Sequence, residues 1–153
     1  MRIFKVLVLA GFVVAAGTIS GCDWVDSDGE EEHIRPEGLV LEMNGEEIVT
    51  YENGVVTGQI TVAVGAETDH IHVHFLDADG EEIEHDHAED DHDIVFEVGD
   101  ETIAEVEQHE EDGHDEFHVL GKQVGTTTLR VHIGHGDHFD FSSKNIPIEV
   151  TEQ

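Results

Sequence analysis

A two-residue rhythm restricts the fold more than any other feature of the sequence. His70-Ile71-His72-Val73-His74-Phe75 alternates strictly, so in an extended chain Ile71, Val73 and Phe75 face one way and His70, His72 and His74 the other. Thr126 to Ile133 repeats the pattern, with Leu129, Val131 and Ile133 on the apolar side and Arg130 and His132 on the polar side. From Leu39 on, apolar residues come in short runs separated by Gly, Asp and Asn, and no stretch has helical spacing. Leu39 to Met43 and Glu47 to Tyr51 read as a hairpin around Asn44-Gly45. Val55 to Val64 reads as one further strand, and Asp77-Ala78-Asp79-Gly80 as a turn. Ile94 to Val98, Thr102 to Val106, Phe117 to Leu120 and Ile146 to Val150 complete the set, the last with a proline, Pro147, that suits an edge strand. Many short strands about ten residues apart indicate an all-β antiparallel sandwich.

Two segments of a different kind precede that region. Met1-Arg2-Ile3-Phe4-Lys5 is a short basic start, Val6 to Ala16 is apolar, and small residues lead to Cys22, the pattern of a secretory signal peptide. The apolar run is shorter than the roughly 20 residues that a bilayer-spanning helix needs. Ile19-Ser20-Gly21-Cys22 resembles the lipobox of bacterial lipoproteins. That resemblance implies that residues 1–21 are removed, that Cys22 is lipidated, and that the protein is held by lipid on a membrane of the cell envelope, periplasmic or outward-facing. An ordinary cleaved signal or an uncleaved anchor is the alternative; the single cysteine of the chain falls on the position a lipobox requires. Residues 22–36 are nearly all charge without apolar periodicity and read as a disordered acidic tether, which leaves 37–153 as the folded domain.

Lipidation would use the only thiol, so the domain would have no disulfide and no thiolate metal ligand. Loss of Arg2 and Lys5 with the signal leaves Arg35, Lys122, Arg130 and Lys144 against 37 acidic residues, a formal charge of about −33. Such a surface repels nucleic acid and anionic headgroups and attracts cations. Solubility alone would explain the acids. It does not explain 13 histidines.

Four stretches, taken in order, carry a family resemblance. They are Val64-Gly65-Ala66-Glu67, then Phe75-Leu76-Asp77-Ala78-Asp79-Gly80, then Val98-Gly99-Asp100-Glu101-Thr102-Ile103-Ala104-Glu105-Val106, then Val119-Leu120-Gly121-Lys122-Gln123-Val124-Gly125-Thr126-Thr127-Thr128-Leu129. Their running order resembles that of bacterial Ig-like domains of the second type, over roughly residues 56–151. The chain departs from the family in its His/Asp/Glu-rich insertions and in having Phe96 where tryptophan is common. The resemblance implies an Ig-like β-sandwich with strand B at 70–76, C at 93–98, D at 102–106, E at 117–120, F at 126–133 and G at 145–151. It implies little about function, since sandwiches of this kind host many roles.

In that arrangement the B–C, D–E and F–G loops share one end of the domain. They would bring His85, His87, His92, His109, His114, His135 and His138 together, with His74, His118 and His132 at nearby strand ends. Neutral imidazole suits zinc, copper and nickel, and alternate strand positions project from one face. His72-x-His74, His85-x-His87 and His135-x-x-His138 each have the spacing for two ligands on one ion. The candidate metal ligands are therefore His72, His74, His85, His87, His92, His114, His118, His132, His135 and His138. Asp86, Glu89, Asp90, Asp91, Glu110, Glu111, Asp112 and Asp137 could complete or orient the shell. His70 lies further down strand B, His33 falls in the tether, and His109 by itself reads as a solvated residue.

The resulting expectation is an envelope lipoprotein that binds a transition metal, zinc first with copper or nickel behind it, for buffering, sensing or delivery to a metal transporter. The alternatives are a pH-responsive surface and a structural or adhesive envelope module whose histidines and acids only solvate. Asp77 to Glu82 resembles the start of a calcium loop but lacks the bidentate glutamate further on, so a turn is the preferred reading. No His-Glu-x-x-His occurs, and Ser142 and Ser143 lack a nucleophile-elbow context. A three-histidine metal with an open position could activate water, but nothing marks a substrate pocket, and a non-enzymatic role is expected.

Overall fold

The computed structural model describes residues 36–83, 92–109 and 112–153. The signal, Cys22, His33 and the tether lie outside the described residues, as do His85, His87, Asp86, Glu89, Asp90, Asp91, Glu110 and Glu111. His92 and His135 are described through their backbone only.

Two Asn-Gly pairs set the first three strands. Asn44-Gly45 joins β1 (Gly38–Met43) to β2 (Glu46–Glu52), and Asn53-Gly54 joins β2 to β3 (Val55–Gly58). All four turn residues have positive φ (57°, 79°, 50° and 78°), the requirement of the type I′ turn, whose twist matches that of the strands it connects.

The stretch Val55 to Val64, expected as one strand, is two. β3 pairs with β2, whereas β4 (Ile60–Ala63) lies in the other sheet and pairs in parallel with β11 (Ile146–Thr151). The change of sheet falls at Gly58, where φ is +88° and a Cβ would stand 2.1 Å from the Ile48 carbonyl oxygen. Val56, Ile60 and Val62 keep the two-residue rhythm across the break, so periodicity alone does not reveal it.

The remaining strands are β5 (Ile71–Leu76), β6 (His92–Val98), β7 (Ala104–Glu107), β8 (Glu116–Gly121), β9 (Gly125–His135) and β10 (His138–Ser142). Every regular element among the described residues is a strand. One sheet has the order β3-β2-β1-β5-β8-β7, the other β10-β9-β11-β4, with β6 pairing β9. Two details differ from expectation. The F–G connection is itself a hairpin: β9 runs on to His135, turns at Gly136-Asp137 and returns as β10. β11 is also central rather than an edge strand, and it accommodates Pro147 because pairing with β4 begins one residue later, at Ile148↔Ile60.

The core lies between the sheets. Leu39, Leu41, Ile71, Val73, Phe75, Phe117 and Val119 from one meet Leu129, Val131, Ile133, Phe141, Ile146, Ile148 and Val150 from the other, all buried. Each such side chain contributes about 1.5–3 kcal/mol relative to exposure. Ring contacts bridge the layers, Phe96 to Phe117 at 4.5 Å and Phe75 to Phe141 at 5.6 Å between centroids. The Asp77–Gly80 turn closes as expected: the Asp77 carboxylate accepts from the amides of Asp79 and Glu81, and Ile83 N–H returns to the Phe75 carbonyl.

Gly54 and Gly58 separate two costs of a side chain at positive φ. Gly54→Ala meets no atom within 4 Å, so it should cost only the left-handed strain of roughly 1–2 kcal/mol. Gly58→Ala adds a backbone collision and should cost clearly more. Urea unfolding of the two variants checks the order; equal losses would show that the Gly58 switch is not sterically enforced.

Candidate metal centre

Because Ile71, Val73 and Phe75 face the core, His72 and His74 lie on the outer face of β5, with His70 just ahead of the strand. β8 runs antiparallel beside it with Ile71 opposite Phe117 and His72 opposite Glu116. That register sets His70 against His118, whose rings stand edge to face with centroids 4.3 Å apart. The connection between β7 and β8 then folds back over this face. Its Asp112 carboxylate accepts from the His109 N–H at 2.6 Å, and the Asp112 N–H bonds the His109 carbonyl at 3.0 Å, a small closed turn.

Two overlapping sets of metal-capable atoms result, each within 4.8 Å: His70, Asp112 and His118, and Glu67, His109 and His118. The proton on His118 distinguishes them. His118 Nδ1 lies 3.0 Å from the Thr68 carbonyl, which can only accept, so Nδ1 carries the hydrogen and Nε2 keeps its lone pair. The Glu67 set approaches His118 through the blocked Nδ1, at 3.6 Å. The Asp112 set approaches through the available Nε2, also at 3.6 Å.

His118 and Asp112 are sealed from solvent, their side chains 8% and 1% exposed. His118 Nε2 and Asp112 Oδ1 are both buried without a hydrogen bond. Buried polar atoms are almost always bonded, and each bare one costs about 1–3 kcal/mol; His74 Nε2 and Asp140 Oδ2 lack a hydrogen bond as well, but among the described residues only here do two such atoms share one group of metal-capable residues. His70 Nδ1 stands 3.6 Å from Asp112 Oδ1 and 3.3 Å from Glu116 Oε2. Ligands about 2.0–2.2 Å from a tetrahedral zinc are roughly 3.4 Å from each other, close to these separations. The arrangement therefore offers two nitrogens, one buried carboxylate and a second carboxylate at its rim.

The electrostatics favour the ionised carboxylate. The His109 N–H first, and then the nearby imidazoles of His118, His109 and His70, hold the Asp112 carboxyl below its usual 3.8. His109 is raised above 6.5, chiefly by its hydrogen bond to Glu67 at 3.0 Å.

The histidines singled out from sequence are distributed as follows. His118 is in this centre. His72 borders it through Glu116 at 3.4 Å and stacks on His74, which is bound to Glu82 at 2.6 Å. His114 is exposed on the β7–β8 connection. His132 belongs to the other sheet, 2% exposed, between Glu97, Ser142 and the ring of Phe139. His138 contacts Asp140 at 3.1 Å on β10, and His92 and His135 lie at the same end of that sheet. His70, His109 and Glu67 were not among the candidate ligands. The signal that finds His70 is the cross-strand register, and for His109 it is the turn it forms with Asp112 three residues on.

The chain matches no family model and no curated protein. Solved structures similar to it include domains 4 and 5 of the S-layer protein SbsC, 18% identical with a TM-score of 0.42, over 74% of this chain and 53% of that one. Domains 5-6 of the same protein match at 18% and 0.42 over 74% and 45%, and domains 1-6 at 18% and 0.42 over 75% and 13%. The chain thus spans about half or less of the length of these structures.

The two shifts act in opposite directions on the folded-back connection. The contribution of His109 is complete below pH 6.5 and is lost as pH rises through its raised value; that of Asp112 is complete above 3.8 and is lost as pH falls through its lowered one. An NMR titration of the imidazoles should show His109 with a midpoint above 6.5, and Glu67→Gln should bring it back toward 6.5. A midpoint indifferent to Glu67 would disprove the pairing.

Proposed function

We propose that this protein is a lipid-anchored envelope protein whose β-sandwich binds a transition-metal ion, zinc foremost, at His70, Asp112 and His118. The observation that carries the reading is the pair of bare, buried atoms His118 Nε2 and Asp112 Oδ1 on the same small site. The Thr68 carbonyl supports it by holding the His118 ring in the tautomer that presents Nε2, the arrangement common to metal-binding imidazoles. Glu116 supplies a fourth oxygen or orients His70. Ligands of mixed nitrogen and oxygen type favour zinc, copper or nickel over calcium and magnesium, which prefer all-oxygen shells.

Around the site, the acidic surface raises the local cation concentration. The lipobox-like Cys22 supports attachment to a membrane, where the bound metal would be buffered, sensed or handed to a transporter. These steps use binding alone, so no catalytic role is assigned.

Saturating zinc should raise the melting temperature, since an ion at one hundred times its Kd stabilises by about 2.7 kcal/mol. His118→Ala should abolish tight binding in isothermal titration, and Glu116→Gln should weaken it 10–100-fold, as loss of an orienting group does. Unchanged melting, together with no binding tighter than the high micromolar range, would sink the proposal. It would favour an adhesive or structural module in its place.

A further inference from the structure

Cations are scarce in this chain, 6 against 37 acidic residues, and Lys122, Arg130 and Lys144 are those among the described residues. Lys122 is taken by Glu105 at 2.8 Å. The other two line one cleft of about 770 Å³, together with Val56, Ser142, Ser143 and Asn145. Small-molecule sites usually have volumes of roughly 300–1,000 Å³. On so acidic a chain most concavities should carry carboxylates. This one has two positive charges on its wall and no acidic residue in its lining.

The wall is held in place by hydrogen bonds to β9. Ser142 ends β10 and Ile146 begins β11, so Ser143, Lys144 and Asn145 form the connection between them. The Ser143 N–H bonds the Val131 carbonyl at 2.9 Å, and the Val131 N–H bonds Ser143 Oγ at 2.9 Å. Ser143 is 1% exposed, and its hydroxyl donates to the Lys144 carbonyl at 2.9 Å, which fixes the backbone that carries the lysine. Ser142 Oγ stands 2.7 Å from Nδ1 of the buried His132. Arg130 donates through Nε to the Ser143 carbonyl at 3.5 Å, and its Nη1 lies 3.6 Å from Glu97. These contacts steady the guanidinium from two sides, so little freedom remains to be lost when a ligand binds.

We propose that this cleft binds a small organic oxyanion, a carboxylate or a phosphate ester, with Arg130 and Lys144 as its charged contacts. A guanidinium meets either group through paired N–H bonds, and an ammonium adds a compact charge. Ser142 and Asn145 bring neutral hydrogen-bonding groups to the same wall, and Val56 of β3 brings an apolar surface for a carbon skeleton. The acidity of the rest of the chain limits the size of the ligand. A polyanion would run out of the cleft over carboxylates and be repelled, whereas a small anion stays within it. The site shares no residue with the metal centre on β5 and β8, so either stands without the other.

Titration of the purified, metal-free protein with succinate and, separately, with phenyl phosphate tests the site. Amide NMR follows it, at an ionic strength held constant with sodium chloride. The amides of Ser142 to Asn145 should shift saturably, and Lys144→Gln and Arg130→Gln should each weaken binding about tenfold or more. Lys144 is exposed, so its variant should keep the parent fold, which the amide spectrum itself verifies. Saturation by succinate alone assigns carboxylates, by phenyl phosphate alone phosphate esters, and by both the oxyanion class as a whole. No saturable shift with either probe in the millimolar range overturns the proposal, as does saturation that the two substitutions leave unchanged.

Discussion

Burial of Ile71, Val73 and Phe75 between the sheets turns His72 and His74 of β5 outward, because a strand cannot turn one face inward without turning the other outward. Only two rungs pair β5 with β8, and those rungs set His70 and His72 against His118 and Glu116. Beyond them the Val73 N–H bonds the Asp115 carbonyl and the chain leaves the ladder, with Asp112 turned back on His109. A slip of one residue would send the histidines into the core and the apolar residues to water. The hydrophobic effect is thus the force that fixes the ligand geometry, though it touches no ligand.

The acidic charge of the chain gives the buried carboxylate its significance. Exposed acids cost little, since water screens them. Asp112 is different: its side chain is 1% exposed, and a carboxylate removed from water is stable only beside a cation or a set of donors. The His109 amide supplies one donor to Oδ2, and among the described residues no hydrogen bond reaches Oδ1. Its imidazole neighbours can answer that charge by taking protons, or they can remain neutral and share a metal ion with it. Metal ligation needs the imidazole without its second proton, so the second answer becomes the stronger one as pH rises.

Much of the fold was legible in the sequence because its controls are local. Alternation marks β5 and β9, and Asn44-Gly45 marks its hairpin; both act through neighbouring residues. The break at Gly58 was not legible, because Val56, Ile60 and Val62 keep their rhythm while the chain changes sheets. The β9–β10 hairpin was hidden by polar residues that read as loop, and the buried Phe141 was its one apolar anchor. At the site, His118 and Asp112 were named but assigned to the end of the sandwich. The centre instead sits on the outer face of a sheet, where His70 is opposed to His118 across 48 positions of sequence. Such pairing belongs to register, which periodicity does not contain. His132 was misleading for a related reason: its outward position is covered by Phe139, whose ring stacks on it at 4.3 Å.

Where the ligands lie in the chain gives metal binding a consequence for stability. A chain with a single cysteine has no internal disulfide to restrain it, and an ion shared by His70, Asp112 and His118 would close a long loop much as a disulfide does. Part of its binding free energy then appears as folding free energy, holding the β7–β8 connection to β5. An ion held in that way is retained tightly because releasing it loosens the connection. Delivery requires the opposite property, an ion bound by preformed strands with an open position, which a partner's ligand can enter before the protein's own ligands leave.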